Sequence, residues 1–234
     1  LGPDGGDETL YFAGVGFTPG GEPIDLEVRS LGSYAASNAS LNGVLGRFGR
    51  INVAAGSSAS LSFRFVNPVS GATQPLDAVY VSFFDVDGVA ADGLREMVRV
   101  DARDSEVEYF ISPSAELSVQ RDASGRLTFE SVAAASADPQ LPASMSAEEE
   151  RRSFTLLVPW LSDAFNVTIS SAANGAVSGG RDFLFAGVSS LVDLCPLPPS
   201  PPPPSPPPTA PSPPSLPPSL PPSLPPSPPP PSPP

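Results

Sequence analysis

Four acidic residues within one short stretch of the sequence could bind a metal ion. The segment DVDGVAADGLRE carries Asp85, Asp87, Asp92 and Glu96, and carboxylate oxygens are ligands that Ca²⁺ prefers. Asp85 and Glu96 stand at the first and twelfth positions of an EF-hand-like frame, but the sixth position, which requires glycine, is Ala90. The sequence therefore leaves two interpretations open: a calcium-binding loop between two strands, and an acidic turn with Asp-Gly corners.

Most catalytic arrangements are excluded by the residue types that are present. The chain contains no histidine and no lysine, so all 12 of its cationic side chains are arginines. The commonest general base and the usual Schiff-base amine are therefore missing. Carboxylate pairs can hydrolyse glycosides. Among 25 acidic residues, however, two that are close together are no evidence of such a catalytic pair. We therefore predict no enzymatic activity, and no cofactor other than Ca²⁺ at the acidic stretch.

The net charge limits the partners that the chain can bind. It is −13, and every charged residue lies within residues 1–194. Nucleic acid and anionic membrane surfaces attract cationic faces, so we predict that neither is a partner. No apolar run approaches the roughly 18–20 residues that span a bilayer, so we expect no membrane span. The chain begins at Leu1 rather than at methionine, so we expect that Leu1 follows a processing site or begins a fragment.

Two sequons indicate a secreted glycoprotein. Asn38-Ala39-Ser40 and Asn166-Val167-Thr168 fit the acceptor pattern for N-glycosylation. Residues 165–169 alternate in polarity, which places Phe165, Val167 and Ile169 on one face of a strand. Asn166 then lies on the opposite face, where a glycan can stand. We predict N-glycans at Asn38 and Asn166 and an extracellular location.

Cys195 is the only cysteine in the chain, which rules out an internal disulfide framework. In an oxidising compartment it could pair with another chain. It could also be a buried small apolar residue or a modified thiol. An intermolecular disulfide at Cys195 is thus one of three interpretations.

Residues 1–194 alternate in polarity as strands do, and turn signals separate the alternating runs. In residues 61–66 Leu61, Phe63 and Phe65 share one face while Ser62 and Arg64 share the other. The run 78–84 is apolar on both faces, which predicts a central strand that is covered on each side. The sequence predicts an all-β fold, a β-sandwich with a jelly roll as one possible form. The predicted strands are 10–17, 24–30, 51–54, 61–66, 78–84, 97–102, 107–111, 117–121, 127–132, 154–158, 165–170 and 183–188.

Two local patterns stand apart from these strands. Ser146 and Glu149 have the spacing of a capping box, which predicts a short helix within a loop. The sequence YFAGV at 11–15 is echoed by LFAGV at 184–188. The echo is consistent with neighbouring strands that have similar packing, with the closing strand of a preceding copy in a tandem array, or with coincidence.

The last 39 residues can form neither a core nor a sheet. Of the 34 prolines, 25 follow Cys195, and this segment has no charged, aromatic or glycine residue. Proline fixes φ and lacks an amide donor, so consecutive prolines adopt polyproline II. We predict a semi-rigid rod over residues 195–234, about 120 Å long at about 3.1 Å per residue. Leu216, Leu220 and Leu224 recur every four residues on a threefold helix, so they form a spiral that suits wrapping by other material. The alternative is that this register results from drift in a low-complexity tail.

The segment CPLPPSPPPPSPPPTAPSPPSLPP resembles the hydroxyproline-rich glycoproteins of volvocine green algae, which include pherophorins, cell-wall glycoproteins and proteins of flagellar hairs. Residues 46–88 and 95–100 are also similar to a module of algal extracellular proteins, although pherophorins are rich in cysteine and this chain is not. The Ser-Pro-Pro-Pro-Pro blocks are typically hydroxylated and arabinosylated in that family. The resemblance therefore implies O-glycosylation at Pro201, Pro202, Pro203, Pro204, Pro228, Pro229, Pro230 and Pro231.

Together these features predict a β-sandwich head over residues 1–194 and a proline-rich rod over residues 195–234. We expect a structural subunit of an extracellular fibre, matrix, cell wall or flagellar surface. The head would assemble with other heads, with the rods of neighbouring subunits or with other extracellular glycoproteins, and covalent glycans would coat the rod. The alternative is a carbohydrate-binding adhesion module that is displayed on a rigid stalk.

Overall fold

The structure is a computed structural model that describes residues 9–18, 20–88, 94–101, 107–132, 145–161, 164–173 and 179–188. The chain divides into two units, Leu1–Cys195 and Pro196–Pro234, and all described residues belong to the first. The predicted polyproline II rod therefore lies outside the described residues and stays a prediction, as does the boundary after residue 194. Within the described ranges, no helix is long and apolar enough to cross a membrane.

The described residues form thirteen strands, one short α-helix and one turn of 3₁₀ helix. The strands are β1 (Thr9–Phe17), β2 (Pro23–Ser30), β3 (Gly43–Leu45), β4 (Phe48–Ala54), β5 (Ser58–Val66), β6 (Leu76–Phe84), β7 (Leu94–Asp101), β8 (Glu108–Ile111), β9 (Leu117–Arg121), β10 (Leu127–Ser131), β11 (Phe154–Leu161), β12 (Ala164–Ala173) and β13 (Gly180–Val188). The helix is α1 (Ala147–Arg151), and the 3₁₀ turn covers Ala39–Leu41.

The strands form two antiparallel sheets. The seven-stranded sheet has the order β1-β2-β5-β12-β7-β10-β9, and the six-stranded sheet has the order β3-β4-β13-β6-β11-β8. All strand pairs are antiparallel. The alternating patterns explain this arrangement, because each strand has one apolar face to bury and one polar face to leave in water.

The two sheets pack face to face, and aromatic rings join them. Phe63 of β5 contacts Phe83 of β6 and Phe185 of β13, with ring centroids 6.2 and 5.2 Å apart. Phe129 of β10 stacks on Phe154 of β11, with ring centroids 3.7 Å apart. These rings belong to one continuous buried cluster that draws on both sheets. The structure thus confirms the predicted all-β sandwich.

Every strand that the sequence predicts is present, and the short helix is confirmed as α1 with its capping box. One strand, β3 (Gly43–Leu45), was not predicted, because three residues are too short to show alternation. The echoed segments belong to β1 and β13, which lie in opposite sheets. The rings of Phe12 and Phe185 within them meet edge to face, 5.5 Å apart.

The prediction that residues 78–84 are covered on both faces is wrong in part. Val79, Val81 and Phe83 point into the core and are buried, as predicted. On the outer face, however, Tyr80 and Ser82 are only half-buried. The physical reason is that Phe48, Leu184 and Met145 cover the outer face at the Phe84 end of β6, while the outer face at Tyr80 and Ser82 stays partly open. This partly open outer face forms the candidate site.

Candidate functional site

An open groove lies on the outer face of the six-stranded sheet, beside α1. Its volume is about 310 Å³, at the small end of the range of about 300–1,000 Å³ for ligand pockets. Strands β6, β8 and β11 provide its floor, and α1 and the connection between β8 and β9 provide its walls. The lining residues are Ser82, Phe84, Phe110, Ile111, Ser112, Pro113, Met145, Glu150, Ser153, Phe154 and Thr155.

Three of these side chains form a row across the floor of the groove. Thr155 pairs with Ser82 on one side and with Phe110 on the other, so the three residues lie in register on adjacent strands. The hydroxyl oxygens of Ser82 and Thr155 are 2.7 Å apart and share a hydrogen bond. Phe110 is 51% exposed, and its ring lies 6.4 Å from that of Tyr80 at an angle of 30°. The row thus offers an exposed aromatic surface next to paired hydroxyl groups.

A small apolar cluster closes the groove at the Phe84 end. Phe84 packs edge to face against Phe48, with ring centroids 5.1 Å apart. Leu184 completes the buried part of this cluster, and Met145 packs over it. This cluster is separate from the core between the sheets, because it lies on the opposite face of the six-stranded sheet. It anchors the residues before α1 to the sheet.

A carboxylate joins the two walls of the groove. Glu116, the last residue of the connection between β8 and β9, lies 3.1 Å from Arg152 and 3.6 Å from Arg151. The amide of Glu116 also donates a hydrogen bond to the carbonyl oxygen of Arg151. At the start of the helix, the Ser146 hydroxyl accepts from the amide of Glu149, and the Glu149 carboxylate accepts from the amide of Ser146. Helix α1 is thus fixed at both ends.

Replacement of Arg152 with glutamine should loosen this wall. The arginine side chain is only 8% exposed and also contacts Glu148, so its loss removes the buried cation from Glu116 and leaves that carboxylate with the longer contact to Arg151. We expect the free energy of unfolding to fall by about 1.5–3 kcal/mol, and the amides of α1 to exchange faster with deuterium. The matched control is Arg126→Gln, whose ion pairs are exposed and should contribute less than about 1 kcal/mol. Equal effects of the two substitutions would contradict the anchoring role.

The described residues of the acidic stretch lie on β7 and on the segment that follows β6. Glu96 points between the sheets and is 2% exposed, and Asp87 is 3% exposed. The amide of Asp87 donates to Glu96 Oε2, and the amide of Glu96 donates to the carbonyl oxygen of Asp87, both at 3.1 Å. Arg181 Nε of β13 lies 3.9 Å from Glu96 Oε1. Glu96 therefore belongs to the interior of the sandwich and not to an exposed loop.

Burial raises the pKa of Glu96 well above its ordinary value, because the protein interior solvates the carboxylate poorly. The negative charges of Asp87 and Asp85 raise the pKa further, while the amide of Asp87 and the cation of Arg181 lower it. No group of three or more His, Cys, Asp or Glu side chains that could hold a metal ion occurs among the described residues. Asp92 lies outside those residues, so the calcium hypothesis stays a prediction.

The two sequon asparagines occupy different settings. Asn38 is exposed and caps the 3₁₀ turn, where its side-chain oxygen accepts from the amide and the hydroxyl of Ser40 at 3.2 and 2.7 Å. Asn166 lies on β12, and its neighbours Phe165 and Val167 are buried, so it points to the opposite face as predicted. N-glycosylation itself stays a prediction at both positions.

The remaining predicted site residues lie outside the described part of the chain. They are Cys195 and the eight prolines at 201–204 and 228–231.

The groove residues, in contrast, were not identified from the sequence. One feature of the sequence could have indicated the groove: in β8, Tyr109, Phe110 and Ile111 are consecutive large apolar residues. A half-buried strand rarely has such a run, and all three side chains are more than a third exposed.

Comparison with known proteins gives only loose likenesses. No protein-family model and no curated protein sequence matches the chain. Among solved structures, it is similar to the N-terminal domain of the Streptococcus gordonii adhesin Sgo0707, with a TM-score of 0.45 and 14% identity over 76% of this chain and 45% of that one. It is also similar to the adhesin domain of Enterococcus faecalis PrgB, with a TM-score of 0.39 and 12% identity over 71% and 60%. The DNA-bound form of the PrgB domain gives a TM-score of 0.39 and 15% identity over 70% and 60%.

The chain spans less than two thirds of each of these proteins. With TM-scores below 0.5, the likenesses support no statement about function.

Proposed function

We propose that the described domain is the binding module of an extracellular adhesion protein, and that the proline-rich segment 195–234 is its stalk. The observation that carries this proposal is the open groove, where the exposed ring of Phe110 stands beside the paired hydroxyls of Ser82 and Thr155. Exposed aromatic rings with nearby polar groups are typical of binding sites, because they offer a large apolar contact area.

The residue types of the groove favour binding over acid–base catalysis. Among its lining residues Glu150 is the only ionisable side chain, so the groove contains no pair of groups for general acid–base work. The absence of histidine and lysine from the whole chain supports the same conclusion.

The groove suits an uncharged, extended ligand. Its apolar surface would contact rings that lie flat on Phe110, and its hydroxyl groups would bond to the ligand's polar atoms. Two kinds of polymer have this character: polysaccharides, as in a carbohydrate-binding adhesion module, and proline-rich protein chains.

The second candidate is a structural subunit of an extracellular fibre, matrix or cell wall. The proline-rich segment favours it, because a stiff rod can set the spacing between subunits. The resemblance of that segment to volvocine hydroxyproline-rich glycoproteins agrees with this candidate and with glycans along the rod. The two candidates differ in whether the groove binds a foreign polymer or another copy of the chain.

The full-length protein, immobilised on beads, can test the binding role of the groove against a panel of polysaccharides and proline-rich glycoproteins. We expect at least one ligand of the panel to bind, and Phe110→Ser to weaken binding at least tenfold, as truncation of a central aromatic residue typically does. Phe17→Ser is the matched control, because Phe17 is also exposed but lies on β1 of the other sheet. The proposal fails if no ligand binds, or if the two variants bind alike.

A further inference from the structure

The hydrogen-bonding groups of the groove distinguish between its two classes of ligand. The Ser153 hydroxyl donates to the carbonyl oxygen of Glu149 at 2.8 Å. Ser82 and Thr155 share a hydrogen bond, which uses one of their two hydroxyl protons and leaves the other for a ligand. The Ser112 hydroxyl lies 3.1 Å from that of Ser114, and Glu150 adds a carboxylate, which accepts hydrogen bonds but does not donate them. The groove therefore has few hydrogen-bond donors to spare.

The small number of hydrogen-bond donors in the groove suits a proline-rich chain better than a sugar as the ligand. Each sugar ring carries several hydroxyl groups that both donate and accept, and burying them without partners is costly. A proline residue has a carbonyl acceptor and no amide donor, so it needs only one partner, and its ring packs on aromatic faces. The exposed ring of Phe110 and the apolar lining formed by Ile111 and Pro113 fit that requirement.

We propose that the groove binds the Ser-Leu-Pro-Pro repeats, residues 215–226, of a second copy of this chain. The inference rests on the proposed function, since it names the partner of the same groove. These repeats lie outside the described residues, and they lie between the two Ser-Pro-Pro-Pro-Pro blocks at 200–204 and 227–231 where the resemblance implies glycans. No Ser-Pro-Pro-Pro-Pro block falls within the repeats themselves.

The spacing of the repeats explains how one side of a rod can fill the groove. On a polyproline II helix, residues i and i+3 share a face. Each four-residue repeat therefore presents a Pro–Leu pair on one face, as at Pro217 with Leu220 and at Pro221 with Leu224. A leucine side chain adds the apolar bulk that a proline ring lacks, which suits a groove that also contains Phe84 and Met145.

The same spacing allows several heads to bind one rod. Successive pairs are about 12 Å apart along the helix and rotated by about a third of a turn. A domain of this size has a radius of gyration of about 16 Å, so heads stacked on one side at that spacing would clash. The rotation distributes them around the rod, and the predicted assembly is a spiral of heads along a proline-rich axis.

Charge and length also favour the proline-rich segment over a direct contact between two heads. The net charge of −13 lies wholly on residues 1–194, so two heads repel each other, whereas the uncharged repeats approach a head without this cost. Ser215 follows Cys195 by 20 positions, a stretch that would extend over about 60 Å in the predicted polyproline II helix. That length is sufficient for the repeats to reach the groove of another molecule.

The test uses the full chain and a fluorescent synthetic peptide of residues 212–226. We expect the peptide to bind the wild-type protein, Phe110→Ser to weaken this binding at least tenfold, and Phe17→Ser to leave it unchanged. A peptide with all three leucines changed to serine should bind at least tenfold more weakly. In sedimentation velocity the wild-type chain should associate as its concentration rises, and excess peptide should dissociate it.

A second variant keeps the test independent of head folding. The full chain with Leu216→Ser, Leu220→Ser and Leu224→Ser has an unchanged groove, so it should bind the free peptide but should not self-associate. The inference is overturned if the peptide fails to bind, binds Phe110→Ser as tightly as wild type, or is bound by a protein that stays monomeric. If oligosaccharides bind in a Phe110-dependent way and the peptide does not, the inference fails while the proposed function stands. If neither binds, both fail.

Discussion

Replacement of Phe129 with alanine is expected to lower the free energy of unfolding by about 3–5 kcal/mol. Phe129 is fully buried, and its ring lies almost parallel to that of Phe154 in the opposite sheet. Phe154 in turn stacks on Phe83, 5.2 Å away, and Tyr109 packs its edge against Phe129 at 5.4 Å. Truncation therefore removes one ring from a connected stack and leaves a cavity where the sheets meet.

Urea unfolding, followed by circular dichroism, measures this loss directly. The expected loss is a large part of the roughly 5–15 kcal/mol that stabilises a typical domain. Phe17→Ala is the control, because Phe17 is 63% exposed and its truncation should change stability by less than about 0.5 kcal/mol. A loss below about 1 kcal/mol for Phe129→Ala would show that the stacked rings do not hold the sheets together.

Glu96→Gln should change how the stability of the protein depends on pH. The pKa of Glu96 is raised in the folded state by burial and by the charges of Asp87 and Asp85. The folded protein therefore keeps this proton at pH values where the unfolded chain has released it. The stabilisation that this group provides is complete below its ordinary pKa of 4.5 and is lost as the pH rises through the folded value.

Between the unfolded-state and folded-state pKa values of Glu96, the free energy of unfolding falls by about 1.4 kcal/mol per pH unit. Glutamine cannot ionise, but it retains an oxygen that accepts from the amide of Asp87, so the variant should lack this decline. The measurement is the urea midpoint of both proteins from pH 4 to pH 8, and the difference between wild type and variant should change steadily in favour of the variant as the pH rises. Glu108→Gln on the exposed strand β8 is the control and should retain the wild-type dependence. Parallel curves for wild type and Glu96→Gln would contradict the buried position of this carboxyl group.

The sequence predicts the strands of the sandwich because burial of one face leaves a local pattern. In β5 and β12 the buried residues alternate with polar ones, and the pairing of Phe165 with Phe63 follows from two such patterns. The helix α1 could also be predicted from the sequence, since the capping box of Ser146 and Glu149 involves only residues that are close in the chain.

The groove could not be predicted in this way, because its residues come from distant parts of the chain. Ser82 and Thr155 are 73 positions apart, and only the order of strands in the six-stranded sheet brings them together. The prediction for the run 78–84 was wrong in part, since Phe84 is buried locally by Phe48, Leu184 and Met145 without the whole face being covered.

The acidic stretch shows a different limit of sequence reasoning. The spacing of Asp87 and Glu96 predicts that both belong to one loop or turn between two strands, whereas Glu96 lies on β7. The alternation of Glu96 with Val98 and Val100, all of which are buried, indicated instead that Glu96 points inward. The strand pattern, and not the acidic composition, predicts the position of the Glu96 side chain correctly.

The order of strands has a consequence for how the protein is made. β12 lies between β5 and β7, and β13 lies between β4 and β6, so the last two strands of the described residues occupy the middle of the two sheets and leave the ribosome after all their partners. Until they emerge, the nascent chain holds half-built sheets whose inner edges are unpaired and open to aggregation. A premature stop codon before residue 164 would therefore yield not a smaller domain but a polypeptide that depends on chaperones or is degraded.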